Sequence, residues 1–273
     1  MVIKGKALLP VVQGGMGVGI SAHRLAGAVA AENAVGTIAS VDLRRHHPDL
    51  MAATGRSRDK DAIQRANLTA LDREIRGALS IAGGRGMVAV NVMRAVTQYV
   101  DYVRQSCASG ADAIVMGAGL PLDLPEMTGD FPQVALIPIL SDVRGVTLLL
   151  KKWMRKNRLP DAIVIEHPKY AGGHLGAAKK EDIGDPRFDF ANVIPGVLQV
   201  FKELGIEREE VPLVPAGGIN THEKVCELLA MGASGVQLGS AFAVTVESDA
   251  DIEFKRVLAG ARAEDIEIGR AHV

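Results

Sequence analysis

The sequence predicts an α/β protein built as a closed (β/α)8 barrel, the TIM-barrel arrangement, and three observations lead there. Eight short apolar runs with the β-branched content of buried parallel strands recur along the 273 residues, most of them separated by helical patterns. Glycine-rich loops follow several of these runs. The loops after the seventh and eighth runs carry Gly217-Gly218 and Gly239-Ser240, in the places where barrels commonly hold a phosphate. A doubly wound open sheet uses the same right-handed crossovers, but the strand count favours closure. Residues 1–273 are read as one domain with inserted loops and helices, since such barrels reach roughly 250 residues as a unit.

Taken in order, Leu8–Val12 reads as the first strand and runs into Gln13-Gly14-Gly15-Met16-Gly17-Val18-Gly19, where the glycines allow close backbone approach to a ligand. Ser21 is expected to cap a helix through Asn33, with Leu25 and Val29 on its apolar face. Val35–Ser40 is the second strand. In residues 42–86 a charged stretch, Arg44, Arg45, His46 and His47 among it, precedes a helix marked by Ile63, Leu71, Ile75 and Leu79. A solvated excursion ahead of a surface helix is the favoured reading, and a mobile lid is the alternative.

Met87–Met93 is the third strand, with Asn91 near its C-terminal end. Its amide offers a donor and an acceptor to the edge of a heterocycle, or is satisfied by neighbouring backbone. Val96, Val100, Val103 and Cys107 recur at helical spacing up to Gly110. Ala113–Gly117 and Val134–Leu140 are the fourth and fifth strands. The next helix buries Val146, Leu149, Leu150 and Trp153, and its basic face from Lys151 to Arg158 reads as solvated surface rather than a nucleic-acid site. Asp161–Ile165 is the sixth strand. It leads into a loop containing Ala171-Gly172-Gly173-His174, and residues 177–195 form a second candidate lid. A helix with Val197, Val200, Phe201 and Leu204 follows. Val211–Ala216 and Gly235–Leu238 complete the set, flanking a helix with Val225, Leu228 and Leu229.

Composition narrows the partners. With 31 Lys and Arg against 32 Asp and Glu, no global field draws the chain to nucleic acid or to an anionic membrane, so a small molecule is the expected partner. Cys107 and Cys226 stand far apart, which fits a reducing cytoplasm better than a disulfide framework. The start lacks the pattern of a signal peptide, and no stretch approaches the roughly 20 apolar residues of a membrane span. His46-His47 lacks partners at metal-ligand spacing, so no metal site is expected. The chemistry-bearing candidate is His174, an imidazole beside a glycine cradle at a strand's end, as befits a general base; a turn histidine bonded to backbone is the plainer reading. At Gly217-Gly218 and Gly239-Ser240, bare amides, the Ser240 hydroxyl and a helix dipole suit a phosphate.

Together, Gln13-Gly14-Gly15-Met16, Asn91, Ala171-Gly172-Gly173-His174, Pro215-Ala216-Gly217-Gly218-Ile219 and Gln237-Leu238-Gly239-Ser240 resemble the nitronate monooxygenase family, formerly the 2-nitropropane dioxygenases. The match runs in order over nearly the whole chain. The resemblance implies an FMN-dependent oxidoreductase that converts alkyl nitronates or nitroalkanes, with O2, to carbonyl compounds and nitrite. It implies that Gln13, Gly14, Gly15 and Met16 pass beside the isoalloxazine, and that Asn91, Gly172, Gly173 and Gln237 belong to the flavin-binding segments. Gly217, Gly218, Gly239 and Ser240 would hold the FMN phosphate, and His174 would be the base. The flavin enoyl-ACP reductase resembles the chain at the same loops, so an NAD(P)H-dependent enoyl or quinone reductase is the alternative, and a non-catalytic FMN- or partner-binding barrel the third. Where the family often has an acid before Ala-Gly-Gly-His, this chain has Tyr170. Many relatives also continue past the equivalent of Val273, so the chain is a short form or a truncated one. A homo-oligomer is left open.

Overall fold

The computed structural model describes residues 1–170, 176–177, 179–262 and 265. Eight parallel strands close into a barrel: β1 (Val11–Gln13), β2 (Val35–Ala39), β3 (Met87–Met93), β4 (Ala113–Gly117), β5 (Ala135–Leu140), β6 (Ile163–Glu166), β7 (Leu213–Ala216) and β8 (Val236–Leu238). Neighbours in sequence are neighbours in the ring, and closure comes from β8 on β1, where Val236, Gln237 and Leu238 align with Val11, Val12 and Gln13. The (β/α)8 expectation is therefore met, strand for strand.

Alternation along each strand sorts the side chains into two cores. One face of β2 to β6, with Val35, Ala89, Val115, Ile137 and Val164, fills the lumen, and the intervening residues, such as Ile38, Val90, Ile114, Leu136 and Ile165, pack outward under the helices. Around them lie the helices α1 (His23–Ala31), α2 (Pro48–Thr54), α3 (Lys60–Ala82), α4 (Tyr99–Ala108), α5 (Leu124–Met127), α6 (Val143–Met154), α7 (Phe190–Leu204), α8 (His222–Ala230), α9 (Ser240–Ala243) and α10 (Ile252–Gly260), the last of which buries none of its residues. On α6 the i, i+3, i+4, i+7 set Val146, Leu149, Leu150 and Trp153 is wholly buried, each aliphatic contributing about 1.5–3 kcal/mol. Trp153 also donates its ring N–H to the Pro121 carbonyl at 3.2 Å.

Three features depart from the sequence expectations. An antiparallel hairpin, Val2–Ile3 with Lys6–Ala7, precedes the first barrel strand, and Ile3 and Leu8 pack against the lumen residues at the N-terminal end of the barrel. Ser21 does not cap α1. Its hydroxyl accepts from the Met16 amide at 2.9 Å, and the helix start is held instead by Asp249, whose carboxylate accepts from the amides of Ala22, Arg24 and Leu25. In segment 42–86 the stretch from Gly55 to Asp61 is largely exposed, but the segment is also anchored in a way the sequence did not suggest: α3 lays Ala70, Leu71, Ile75 and Ala78 into the outer core, and Arg44, Asn67 and Glu74 are buried with it.

Candidate active site

The apolar alternation of the lumen breaks at the C-terminal ends of the strands. Val35, Ala89 and Val164 are each followed, two residues on and on the same face, by a polar residue: Thr37, Asn91 and Glu166. On β8, Gln237 aligns with the lumen residues Val12 and Ala216 and completes the set. Among the described residues, the side chains of Asn91, Glu166 and Gln237 make no hydrogen bond, and the Thr37 hydroxyl is buried without a partner. Only the Thr37 hydroxyl is fully buried, where an unpaired polar group costs about 1–3 kcal/mol; Asn91, Glu166 and Gln237 are partly exposed, and the four together present unpartnered polar groups at one end of the lumen.

The Gly14–Met16 turn forms the floor beneath two of these amides. A Cβ on Gly14 would lie 3.0 Å from the Gln237 side-chain nitrogen, and one on Gly15 would lie 2.5 Å from the Asn91 Cβ. Glycine is thus required here by close approach of side chains to backbone. Gln13 plays another part. It is fully buried, its amide oxygen accepts from the Thr37 N–H at 2.9 Å, and its nitrogen donates to the Thr37 carbonyl at 3.1 Å and to the Gly14 carbonyl. Its side chain acts as a rung between β1 and β2 and offers nothing free to a ligand.

On the other side of the mouth, Gly217 and Gly218 follow β7 with positive φ of 103° and 69°, and Gly239-Ser240 leads from β8 into the four-residue α9. The backbone N–H groups of Gly217, Gly218, Gly239 and Ser240 donate to no described residue. Tyr170, half exposed, lies against Gly217 and Gly218, such that a Cβ on Gly218 would be 3.0 Å from its ring.

A cavity of ≈ 280 Å³ opens at the ends of β4, β5 and β6, lined by Ala118 to Leu120, Ile139 to Asp142, Gly145, Glu166 and Gly176. Burial pushes the Glu166 carboxyl up to about 7. Beside it, His167 is buried, accepts the Lys169 amide on Nδ1 at 3.2 Å, and packs against Tyr170 and Phe190.

The structure thus gathers Gly14, Gly15, Asn91 and Gln237 at one point of the mouth. Met16 lies near Gly239, whose Cβ would stand 3.6 Å from the Met16 sulfur. Gly172, Gly173 and His174 lie outside the described residues. Thr37 and Glu166 were not singled out from the sequence. The available signal was parity: each continues the lumen-facing register of its strand by one further step.

The chain is similar to known proteins in sequence and in fold. The family model described as Nitronate monooxygenase matches residues 3–272. A nitronate monooxygenase of Pseudomonas aeruginosa is 36% identical over 103 residues, which are 38% of this chain and 26% of that protein. A probable nitronate monooxygenase of Bacillus subtilis is 32% identical over 106 residues, 39% of this chain and 28% of that protein. The matched stretch thus spans under a third of either relative's length. Among solved structures, a nitroalkane oxidase from Streptomyces ansochromogenes superposes with a TM-score of 0.69 at 18% identity, covering 93% of this chain and 71% of that one. FabK from Thermotoga maritima superposes at 0.62 and 20% identity, covering 92% and 64%. At such identities the two structures speak for the barrel alone. The family match, which covers almost every residue, does more: the chain belongs to the nitronate monooxygenase family.

Proposed function

We propose that this protein is a flavin-dependent oxidoreductase that oxidises small alkyl nitronates with O2 to carbonyl compounds and nitrite. The observation that carries the reading is the set of unpaired polar groups at the barrel mouth, Thr37, Asn91 and Gln237 around the Gly14–Gly15 floor. They suit a flat heterocycle whose edge presents donors and acceptors, which FMN does. The free amides of Gly217, Gly218, Gly239 and Ser240 suit its phosphate. With only four residues in α9, the loop amides and the Ser240 hydroxyl, rather than a helix dipole, would do the holding. Held there by these amides, FMN would supply the redox chemistry between nitronate and O2.

The protein's own contribution is positioning. The cavity at β4 to β6 offers Leu120 and Ile139 to an alkyl chain, next to the polar Ser141 and Glu166. His174 takes the base position by the family resemblance, removing the α-carbon proton when the substrate arrives as a neutral nitroalkane. A preformed nitronate needs no such step. His174→Ala is therefore expected to lose about 10²–10⁴-fold with nitroalkane and much less with nitronate. Met16, against Gly239, would border the same flavin.

The reading is tested by recording the visible spectrum of the purified holoprotein without oxygen while ethyl nitronate or NADH is added separately. Bleaching by ethyl nitronate alone supports it. Bleaching by NADH alone overturns it in favour of an NAD(P)H-dependent enoyl or quinone reductase on the same barrel.

A further inference from the structure

Glu166 sits where strand alternation hands the lumen over to solvent. Ala162 and Val164 share its face and belong to the lumen core, and Glu166 emerges above them into the cavity at the ends of β4 to β6. No described side chain or backbone amide pairs with it. Asp142, the other acid in the wall, is engaged as the cap of α6, its Oδ1 accepting from the Gly145 amide at 2.7 Å. Glu166 is thus the acid of this cavity left for a ligand.

We propose that Glu166 determines which substrates the mouth accepts: as the neutral acid it donates its O–H to an oxygen of a planar oxyanion, and as the carboxylate it repels that ion. Where the oxyanion is a nitronate, this deepens the function proposed above and rests on it. Leu120 and Ile139 in the same wall would receive the short alkyl group that such an ion carries.

The surroundings leave this switch to Glu166. From β5, the facing titratable group is Asp142, already bonded to Gly145. From β4 the wall is the uncharged Ala118-Gly119-Leu120, with Arg94 beyond Gly119 paired to Asp123. On its own loop, His167 is turned toward Asp189 at 3.5 Å, and Lys169 lies over the Tyr170 ring. His174 lies outside the described residues. Desolvation alone raises the Glu166 carboxyl to about 7, so both forms are accessible near neutrality.

Propionate makes a suitable probe because it is a planar oxyanion of nitronate size, does not turn over, and stays ionised throughout the range used. Its binding to the holoenzyme is read by perturbation of the flavin spectrum between about pH 6 and 9. Binding should weaken about tenfold per pH unit above about 7 in the wild type, the slope of one proton taken up with the ligand. In Glu166→Gln, which keeps a donor of the same shape, it should be independent of pH. Propionamide, uncharged, should bind wild type with no such slope. A flat wild-type profile, or a slope that survives in Glu166→Gln, overturns the proposal. Failure to oxidise ethyl nitronate, with the propionate slope present in wild type and lost in the variant, would defeat the nitronate reading and support Glu166 as the gate for another oxyanion. Nitronate turnover with an unchanged slope in the variant would do the reverse.

Discussion

The backbone of Gly15 runs against the side chain of Asn91 so closely that a Cβ on the glycine would fall 2.5 Å from that of the asparagine. The first and third strands are thereby locked in a relation that aims an unpaired amide at the mouth. Gly15→Ala must push Asn91 aside, and overpacking of this kind costs about 1–3 kcal/mol. The expected outcome is a lowered melting temperature together with weakened flavin retention on gel filtration. Unchanged retention would mean that Asn91 does not meet the cofactor.

The start of α1 makes a second case. Asp249 accepts three of its amides at 2.8, 3.2 and 3.1 Å, although it lies more than two hundred residues away in the chain. Asp249→Ala should destabilise by about 1–2 kcal/mol, the ordinary worth of a helix cap. At this size that is roughly a 2–8 °C fall in melting temperature. Ser21→Ala leaves these three bonds in place and should disturb the Gly14–Gly19 turn rather than the helix, through loss of the 2.9 Å bond to the Met16 amide. Thermal melts of both variants separate the two roles.

Beneath the 42–86 segment, the buried carboxylate of Glu74 lies 2.6 Å from His23 Nδ1 and 2.9 Å from His47 Nε2. The bond to Glu74 raises the His23 pKa above its ordinary 6.5. Burial by itself would raise Glu74, but the bonds from His23 and the attraction of both histidines outweigh it and hold the carboxyl below its ordinary 4.5. The signs follow from linkage. The His23 contribution is complete below about 6.5 and is lost as pH rises through the raised value. The Glu74 contribution is complete above about 4.5 and is lost as pH falls through the lowered value. The advantage of wild type over Glu74→Gln in urea midpoint should therefore be greatest between about pH 5 and 6 and narrow on both sides. An advantage constant with pH would contradict the pairing.

How much of this was written in the sequence differs by element. The eight strands were legible because short β-branched runs ending at glycine, such as Ala113–Gly117 and Val236–Leu238, have few other solutions. The hairpin before β1 was not, because strands of two residues carry no period and its turn uses Lys4 and Gly5, both at positive φ, without the usual asparagine. The Asp249 cap was hidden because it is made across the fold rather than along the chain. At the site, the glycines were singled out through their loop positions, Asn91 through its place near the C-terminal end of a strand, and Gln237 through the family resemblance. Glu166 and Thr37 needed the barrel to be closed before their strand parity could place them in the lumen. Gln13 illustrates the opposite case: an amide at the mouth by position, but one whose bonds are taken by the Thr37 backbone.

On the function proposed above, the unpaired amides of Asn91 and Gln237 hold a flavin. Calorimetric titration of FMN into the apoprotein tests it most directly. One equivalent should bind to the wild type, with affinity reduced about tenfold in Asn91→Leu, as expected for loss of hydrogen bonds worth about 1–1.5 kcal/mol. A wild-type protein that takes up no FMN, or an Asn91→Leu variant that binds it as tightly as wild type, would contradict the account.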